Sequence, residues 1–306
     1  MEQHDERDIR EDFPQIRPEV GASAGNSAGR SLLRKGFPTG WDLLAIVVVF
    51  LLSNLLMGMV VIMAFGGRLD GQVTFITYAG TFLITIAFAL LLTRRRAGTL
   101  NRIMHFSWQG LNPALILWGL ILMLAMNVVI EPLLDLFPEE WYEFIKDQIT
   151  SGGWATITAV VMAPICEEIL FRGIIQDSLT YKRGPWSGIL ITSAIFGAIH
   201  GIPQQVVAGF FLGIIIGYIY WKTRSLWSAI ILHGINNALA TFMNLFDSEG
   251  GLADRPLREI IGDPTRYWLL YAGCALLLVA ALIRGIVVSR KARFEKEPQS
   301  GKLRRI

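Results

Sequence analysis

Residues 41–65 read WDLLAIVVVFLLSNLLMGMVVIMAF, a run in which Asp42 is the only charged side chain. At 1.5 Å per helical residue, about 20 apolar residues match the roughly 30 Å hydrocarbon core of a bilayer. Similar runs recur along the 306 residues, of which 53% are hydrophobic and 17% charged, and the mean hydropathy is +0.46. A water-soluble core does not account for this excess. Membrane-spanning helices are therefore the predicted fold.

The sequence predicts an all-α, polytopic membrane helical bundle of about eight transmembrane helices. The predicted spans are 41–65, 74–93, 112–130, 155–176, 186–201, 205–221, 226–246 and 267–288. Pro164 interrupts the fourth span, where we expect a kink that frees backbone groups inside the protein. The fifth span is short by the usual measure.

The distribution of Lys and Arg predicts the orientation, because basic loops stay on the cytoplasmic side. With a cytoplasmic N-terminus, 22 basic residues fall on the inner side, five on the outer side, and Arg172 within a span. Both termini are therefore predicted to be cytoplasmic in a multi-pass protein of the cell membrane. The net charge is only +3 and the basic residues flank the spans, which argues against nucleic acid as a partner.

The spans divide the chain into five regions. Residues 1–38 are predicted to be a disordered cytoplasmic tail, and 289–306 a basic cytoplasmic tail. Residues 39–150 hold three spans and, near Trp141 and Phe144, an amphipathic helix at the outer interface. Residues 151–246 form a core of four spans, and 247–288 an outer loop and the last span.

Away from the span ends, charged and histidine side chains inside the spans are few, and all fall in the 151–246 core. Each costs at least about 2.5–3.5 kcal/mol at a helix centre, so those that persist are candidates for function. They are Glu167, Glu168, Arg172, His200 and His233, and Asn237 accompanies the last.

Helical spacing groups these residues. Glu168 and Arg172 are four positions apart and can neutralise each other, whereas Glu167 is rotated by about 100° and left as a candidate general base or acid. Phe196 shares a face with His200 in the same way, and His233 with Asn237. The alternative is a structural ion-pair network that holds the bundle together.

These residues lie at compatible depths, towards the inner half of the bilayer. Together they can position a water molecule, accept its proton and donate hydrogen bonds to a carbonyl that becomes an oxyanion. This equipment is typical of peptide hydrolysis.

Three ordered motifs in this core resemble a known family. They are Glu-Glu-x-x-x-Arg at 167–172, Phe-x-x-x-His at 196–200 and His-x-x-x-Asn at 233–237. The pattern resembles the CPBP family, the CAAX proteases and bacteriocin-processing enzymes also called Abi proteins. The resemblance covers about residues 155–246, so region 151–246 is interpreted as a CPBP-like catalytic core.

The resemblance implies a role for each matching residue. Glu167 with His200 would activate the attacking water, and His233 with Asn237 would stabilise the oxyanion. Glu168, Arg172 and Phe196 would be supporting members. Gly209, Gly213 and Gly217 also look like the family, and we expect them to form a small-residue packing face.

Two points stay open on the sequence alone. The favoured mechanism is that of a glutamate protease that requires no cofactor; the alternative is a metalloprotease in which Glu167, His200 and His233 bind Zn²⁺. The expected partners are a peptide or protein substrate at the membrane and the lipid bilayer itself. A proton-coupled transporter and a non-catalytic immunity or adaptor protein are the competing functions.

Overall fold

The computed structural model describes residues 37–68, 70–97, 104–138, 140–141, 152–246 and 255–294. Every regular element in these ranges is a helix. In chain order they are α1 (Gly40–Phe65), α2 (Gly71–Ala97), α3 (Pro113–Leu134), α4 (Gly153–Arg183), α5 (Pro185–Ala198), α6 (Pro203–Thr223), α7 (Leu226–Phe246), α8 (Leu257–Ile261) and α9 (Pro264–Phe294).

Seven of the described helices are long and apolar enough to cross a membrane. The remaining apolar helix, α5, has 14 residues and is the predicted short fifth span. The all-α membrane bundle is thus confirmed, while the orientation of the termini stays a prediction. The predicted tails at 1–36 and 295–306, most of the interfacial helix and part of the outer loop at 247–254 lie outside the described residues.

Helix α1 begins at a capping box that uses the single charge of the opening run. The Thr39 hydroxyl oxygen accepts from the Asp42 amide at 3.1 Å, and the Asp42 carboxylate accepts from the Thr39 amide at 2.8 Å. Such a cap satisfies amide groups that have no partner within the helix. Four other helices, α3, α5, α6 and α9, begin at a proline, whose missing N–H is no loss in that position.

Helix α4 is not uniformly wound. Two π-helical segments, Thr158–Met162 and Ile169–Gln176, interrupt its α-helical winding. In the first, the Ala163 amide donates to the Thr158 carbonyl, five residues back. The next bond in that register would come from Pro164, which has no N–H, so the Ala159 carbonyl receives no such bond. The predicted freeing of backbone groups near Pro164 is confirmed.

The interior consists of two apolar clusters. One joins α3, α6 and α7 through residues such as Met123, Ile216 and Leu232, and the other joins α1, α2, α4 and α5 through residues such as Phe82 and Phe171. Helix α9 is exposed along most of its length, as expected of a helix that faces lipid. Helix α4 contributes Leu170 and Phe171 to the second cluster, and its polar residues Glu168 and Arg172 are buried as well.

Side chains of α4 bind the backbone of α6. Arg172 Nη2 donates to the Gly213 carbonyl at 3.4 Å, and Gln176 Nε2 donates to the Gly217 carbonyl at 2.7 Å. A Cβ atom at Gly213 would lie 2.9 Å from the Cβ of Ser193 on α5. The expected small-residue packing face is confirmed, and it also exposes backbone acceptors to α4.

A charged cluster fixes the end of α4 that is predicted to be cytoplasmic. Asp177 accepts from Arg224 Nη1 at 2.5 Å and from the Tyr220 hydroxyl at 2.7 Å. Arg224 Nη2 lies 2.6 Å from His105 Nε2, and the His105 carbonyl accepts from the Leu226 amide at 2.8 Å. The segment before α3 is thereby joined to α4, α6 and α7.

Candidate active site

Two adjacent carboxylates of α4 form the centre of the candidate site. Glu167 and Glu168 end the α-helical turn Ala163–Glu168 between the two π-helical segments, and they are 6% and 0% exposed. Adjacent helical side chains point about 100° apart, so the two carboxylates meet different neighbours. Glu167 faces α2, and Glu168 faces the interior next to Arg172.

Glu168 is held from two sides. Its Oε1 accepts from Arg172 Nη1 at 2.8 Å, and His233 Nδ1 lies 2.8 Å from the same oxygen. The pairing of Glu168 with Arg172 predicted from their spacing is present in the structure, and both side chains are fully buried. The Arg172 guanidinium also lies over the Phe196 ring, 4.7 Å from its centroid. This cation–π contact adds to the ion pair.

His233 joins the two glutamates. A carboxylate can only accept, so the Nδ1 that contacts Glu168 carries a hydrogen. The other ring nitrogen, Nε2, is 3.7 Å from Glu167 Oε2. That distance is beyond a direct hydrogen bond, and a water molecule that binds both atoms fits it.

Glu167 has a second partner that the sequence patterns did not reveal. The Tyr78 hydroxyl of α2 donates a hydrogen bond to Glu167 Oε1. Tyr78 lies near the outer end of the predicted span 74–93, where interfacial tyrosines are common, so its position alone indicates no role in a site. The one signal of such a role was its hydroxyl group, which needs a hydrogen-bond partner within hydrocarbon.

His200 and His233 both pack against the Phe196 ring. His200 Nδ1 is 2.8 Å from the Phe196 carbonyl, so Nδ1 carries a hydrogen and Nε2 is left for another partner. The Phe196 ring packs edge-on against both imidazoles, with centroid distances of 5.0 Å to His200 and 5.9 Å to His233. Among the described residues, the structure shows no hydrogen bond from His200 to either glutamate.

Asn237 binds the backbone of α4. Its Nδ2 donates to the Ala159 carbonyl at 2.9 Å, the carbonyl that Pro164 cannot serve. Its Oδ1 accepts from Asn236 Nδ2 at 3.2 Å. These two bonds fix which end of the amide is which, and they leave one Asn237 N–H for a further acceptor.

We expect replacement of Asn237 by leucine to destabilise the protein by about 1–3 kcal/mol, because it leaves the Ala159 carbonyl without a donor. In a Pro164→Ala background, the new amide supplies that donor, and the cost of Asn237→Leu should fall by at least about 0.5 kcal/mol. Thermal unfolding of the detergent-solubilised protein measures both. An Asn236→Leu control should not show this coupling, and equal costs of Asn237→Leu in the two backgrounds would contradict the assignment.

The predicted zinc ligands do not form a ligand set in this arrangement. Among the residues that the structure describes, no three His, Cys, Asp or Glu side chains are placed to hold a metal ion. His233 contacts both glutamates, whereas among the described residues no hydrogen bond or ion pair joins His200 to either of them. The zinc alternative stays a prediction, and the mechanism below contains no step through a metal.

Comparisons with known proteins place the candidate site inside a shared segment. Residues 150–239 match the family profile described as "Type II CAAX prenyl endopeptidase Rce1-like". A Bacillus subtilis protein named "Putative membrane peptidase YdiL" is 31% identical over 101 residues, which are 33% of this chain and 41% of that protein. The chain thus matches less than half the length of this relative. No solved structure matches the chain.

The fold is that of a multi-pass membrane protein, and residues 150–239 are similar to membrane peptidases. Residues 150–239, which include all three motifs, match the Rce1-like family profile. The resemblance inferred from the motifs is thereby confirmed for this segment. The roles assigned to individual residues stay predictions.

Proposed function

We propose that this protein is an intramembrane endopeptidase of the glutamate type. The observation that carries the proposal is the approach of Glu167 Oε2 to His233 Nε2, at 3.7 Å, within a buried site. A carboxylate and an imidazole at this distance can act on the same peptide bond, the carboxylate on the attacking water and the imidazole on the carbonyl oxygen. The match of this segment to a membrane endopeptidase family supports peptide hydrolysis.

His233 is placed to donate two hydrogen bonds in this proposal. With a hydrogen on each ring nitrogen, it donates from Nδ1 to Glu168 and from Nε2 to the bound substrate.

Hydrolysis then follows from ordinary acid–base steps. Glu167 takes a proton from water while the water oxygen bonds to the peptide carbonyl carbon, and His200 Nε2 orients that water as an acceptor. The carbonyl oxygen becomes an oxyanion that accepts from His233 Nε2–H and from the remaining N–H of Asn237. Cleavage of the C–N bond and transfer of the proton from Glu167 to the leaving nitrogen give a carboxylic acid and an amine.

We further propose a substrate with a prenylated carboxyl-terminal motif. The description of the matching family as CAAX prenyl endopeptidases supports this choice. An isoprenyl chain would also hold such a peptide at the membrane, next to the site, with about 0.8 kcal/mol for each buried methylene-sized group.

The test uses the full chain in proteoliposomes and fluorescence-quenched peptides that end in a Cys-aliphatic-aliphatic-X motif, with and without a farnesyl group. We expect hydrolysis, with kcat/KM at least about tenfold higher for the farnesylated peptide. Equal rates would remove the prenyl specificity and keep the peptidase. Proton flux dependent on Glu167, with no hydrolysis of either peptide, would instead support a transporter.

A further inference from the structure

A groove of about 410 Å³ lies between α1 and α2, outside the segment that matches the peptidase family. Its volume is within the range typical of ligand sites. Residues that line it include Asn54, Gly58, Ile62 and Thr77. Asn54, Gly58 and Ile62 are exposed, so the groove is accessible from the lipid side of the bundle.

The groove is continuous with the candidate active site through one side chain. Tyr78 lines the groove and donates its hydroxyl hydrogen to Glu167. Aromatic contacts with Phe82 hold Tyr78 in place, with ring centroids 4.8 Å apart. A molecule in the groove therefore ends next to the carboxylate that we propose as the general base.

A polar side chain marks the wall of this groove. Asn54 lies near the middle of α1, between the exposed Leu51 and Leu55. Its Nδ2 donates to the Phe50 carbonyl at 3.3 Å, and within the described part of the chain its Oδ1 has no partner. A polar amide that faces hydrocarbon is costly, so a bound partner would lower its free energy.

The groove offers hydrogen-bonding groups that a hydrocarbon chain does not need. The Thr74 hydroxyl donates to the Asp70 carbonyl just before α2, and the Thr77 hydroxyl donates to the Val73 carbonyl, so both hydroxyl oxygens remain as acceptors. An extended peptide within a bilayer needs such groups, because each unsatisfied backbone amide or carbonyl costs several kcal/mol. An acyl or isoprenyl chain has no such groups to satisfy.

We propose that the groove between α1 and α2 binds an extended peptide segment of the substrate and leads it to Glu167. This inference rests on the proposed endopeptidase function. Asn54 pairs with the peptide backbone, and Tyr78 separates the bound segment from the carboxylate until the scissile bond arrives. The first two helices then contribute to substrate affinity, and the family segment supplies the chemistry.

The groove can be filled without disturbing the fold. A Cβ atom at Gly58 would meet nothing within 4 Å, so a Gly58→Leu side chain occupies the groove itself. Gly273 of α9 is a matched control, because it is also exposed in a spanning helix and its Cβ would also meet nothing within 4 Å. Gly58→Leu should raise KM at least about tenfold with kcat little changed, and Gly273→Leu should change neither.

Binding is measured separately with the same peptides carrying a benzophenone residue, in the full chain with Glu167→Gln. We expect cross-links at residues 54–62 and 74–78 that Gly58→Leu removes and Gly273→Leu keeps. Wild-type KM in Gly58→Leu would overturn the groove and leave the peptidase intact. Groove cross-links without hydrolysis by the unmodified chain would overturn the peptidase and leave the groove. A photoactivatable fatty acid that labels the groove and is not displaced by peptide would assign it to lipid and overturn the inference.

Discussion

Replacing Glu167 by glutamine is expected to lower peptide cleavage by at least about 100-fold, while the amount of folded protein in the membrane stays unchanged. The amide keeps the shape of the side chain and an acceptor for the Tyr78 hydroxyl, but it cannot take a proton from water. The rate of hydrolysis of a quenched peptide by the purified variant measures the effect. The control is Glu259→Gln, a change of the same chemistry at an exposed carboxylate.

A cycle of double mutants separates the roles of the two histidines. His233 lies 3.7 Å from Glu167, so the effects of Glu167→Gln and His233→Gln should be strongly non-additive. His200 Nδ1 is 2.8 Å from the Phe196 carbonyl and has no direct bond to Glu167 among the described residues, so its effect should be closer to additive with that of Glu167. Cleavage above about a tenth of the wild-type rate in Glu167→Gln would remove this carboxylate from the mechanism.

Replacing Arg172 by methionine is expected to destabilise the protein by about 3–5 kcal/mol, the largest stability effect that the structure suggests. The change removes the guanidinium that pairs with the fully buried Glu168, so His233 alone faces the buried carboxylates of Glu167 and Glu168. Adding Glu168→Gln should recover at least about 1 kcal/mol, because the charge that needed Arg172 is then gone. Thermal unfolding in detergent measures both, and Arg266→Met at an exposed position is the control.

Two results would contradict this account of the ion pair. An unchanged melting temperature in Arg172→Met would show that Glu168 does not depend on the guanidinium. A double variant that is no more stable than Arg172→Met would show that the loss comes from the cation–π contact with Phe196 and from packing.

The spans were predictable because a chain within hydrocarbon has few ways to satisfy its backbone hydrogen bonds. Each backbone group must find its partner within the segment, so an apolar run of sufficient length becomes a helix. The predicted spans 41–65 and 226–246 correspond to Gly40–Phe65 and Leu226–Phe246. The fourth helix extends beyond its predicted 155–176 to Gly153–Arg183, because Asp177 and its neighbours are polar yet paired within the protein.

Only the contacts within a single helix of the site were predictable, because they follow from helical spacing. The pair of Glu168 and Arg172 follows from their separation of four residues. The approach of His233 to Glu167 joins residues far apart in sequence, and neither composition nor period fixes which helix faces meet. The contact of Tyr78 with Glu167 also joins distant residues, so it was not predicted. The sequence offered only a hydroxyl group inside an apolar span as a sign of it.

The π-helical winding lay equally beyond periodicity. Pro164 predicted a disturbed backbone. Which carbonyl is left without a donor depends on the hydrogen-bond register of the preceding turn, and that register is not readable from the sequence. The amide that replaces that donor comes from Asn237, on another helix. A side chain expected to serve an oxyanion thus also completes the backbone bonding of α4.

The polar bonds from α4 to α6 end on main-chain oxygens, those of Gly213 and Gly217. Such an oxygen is present whatever side chain the residue carries, so the contact has no second side chain that must change in step with Arg172 or Gln176. At these two positions of α6, the contact constrains only the size of the side chain. In comparisons of related sequences, this contact should therefore leave a record of small residues and no paired substitutions.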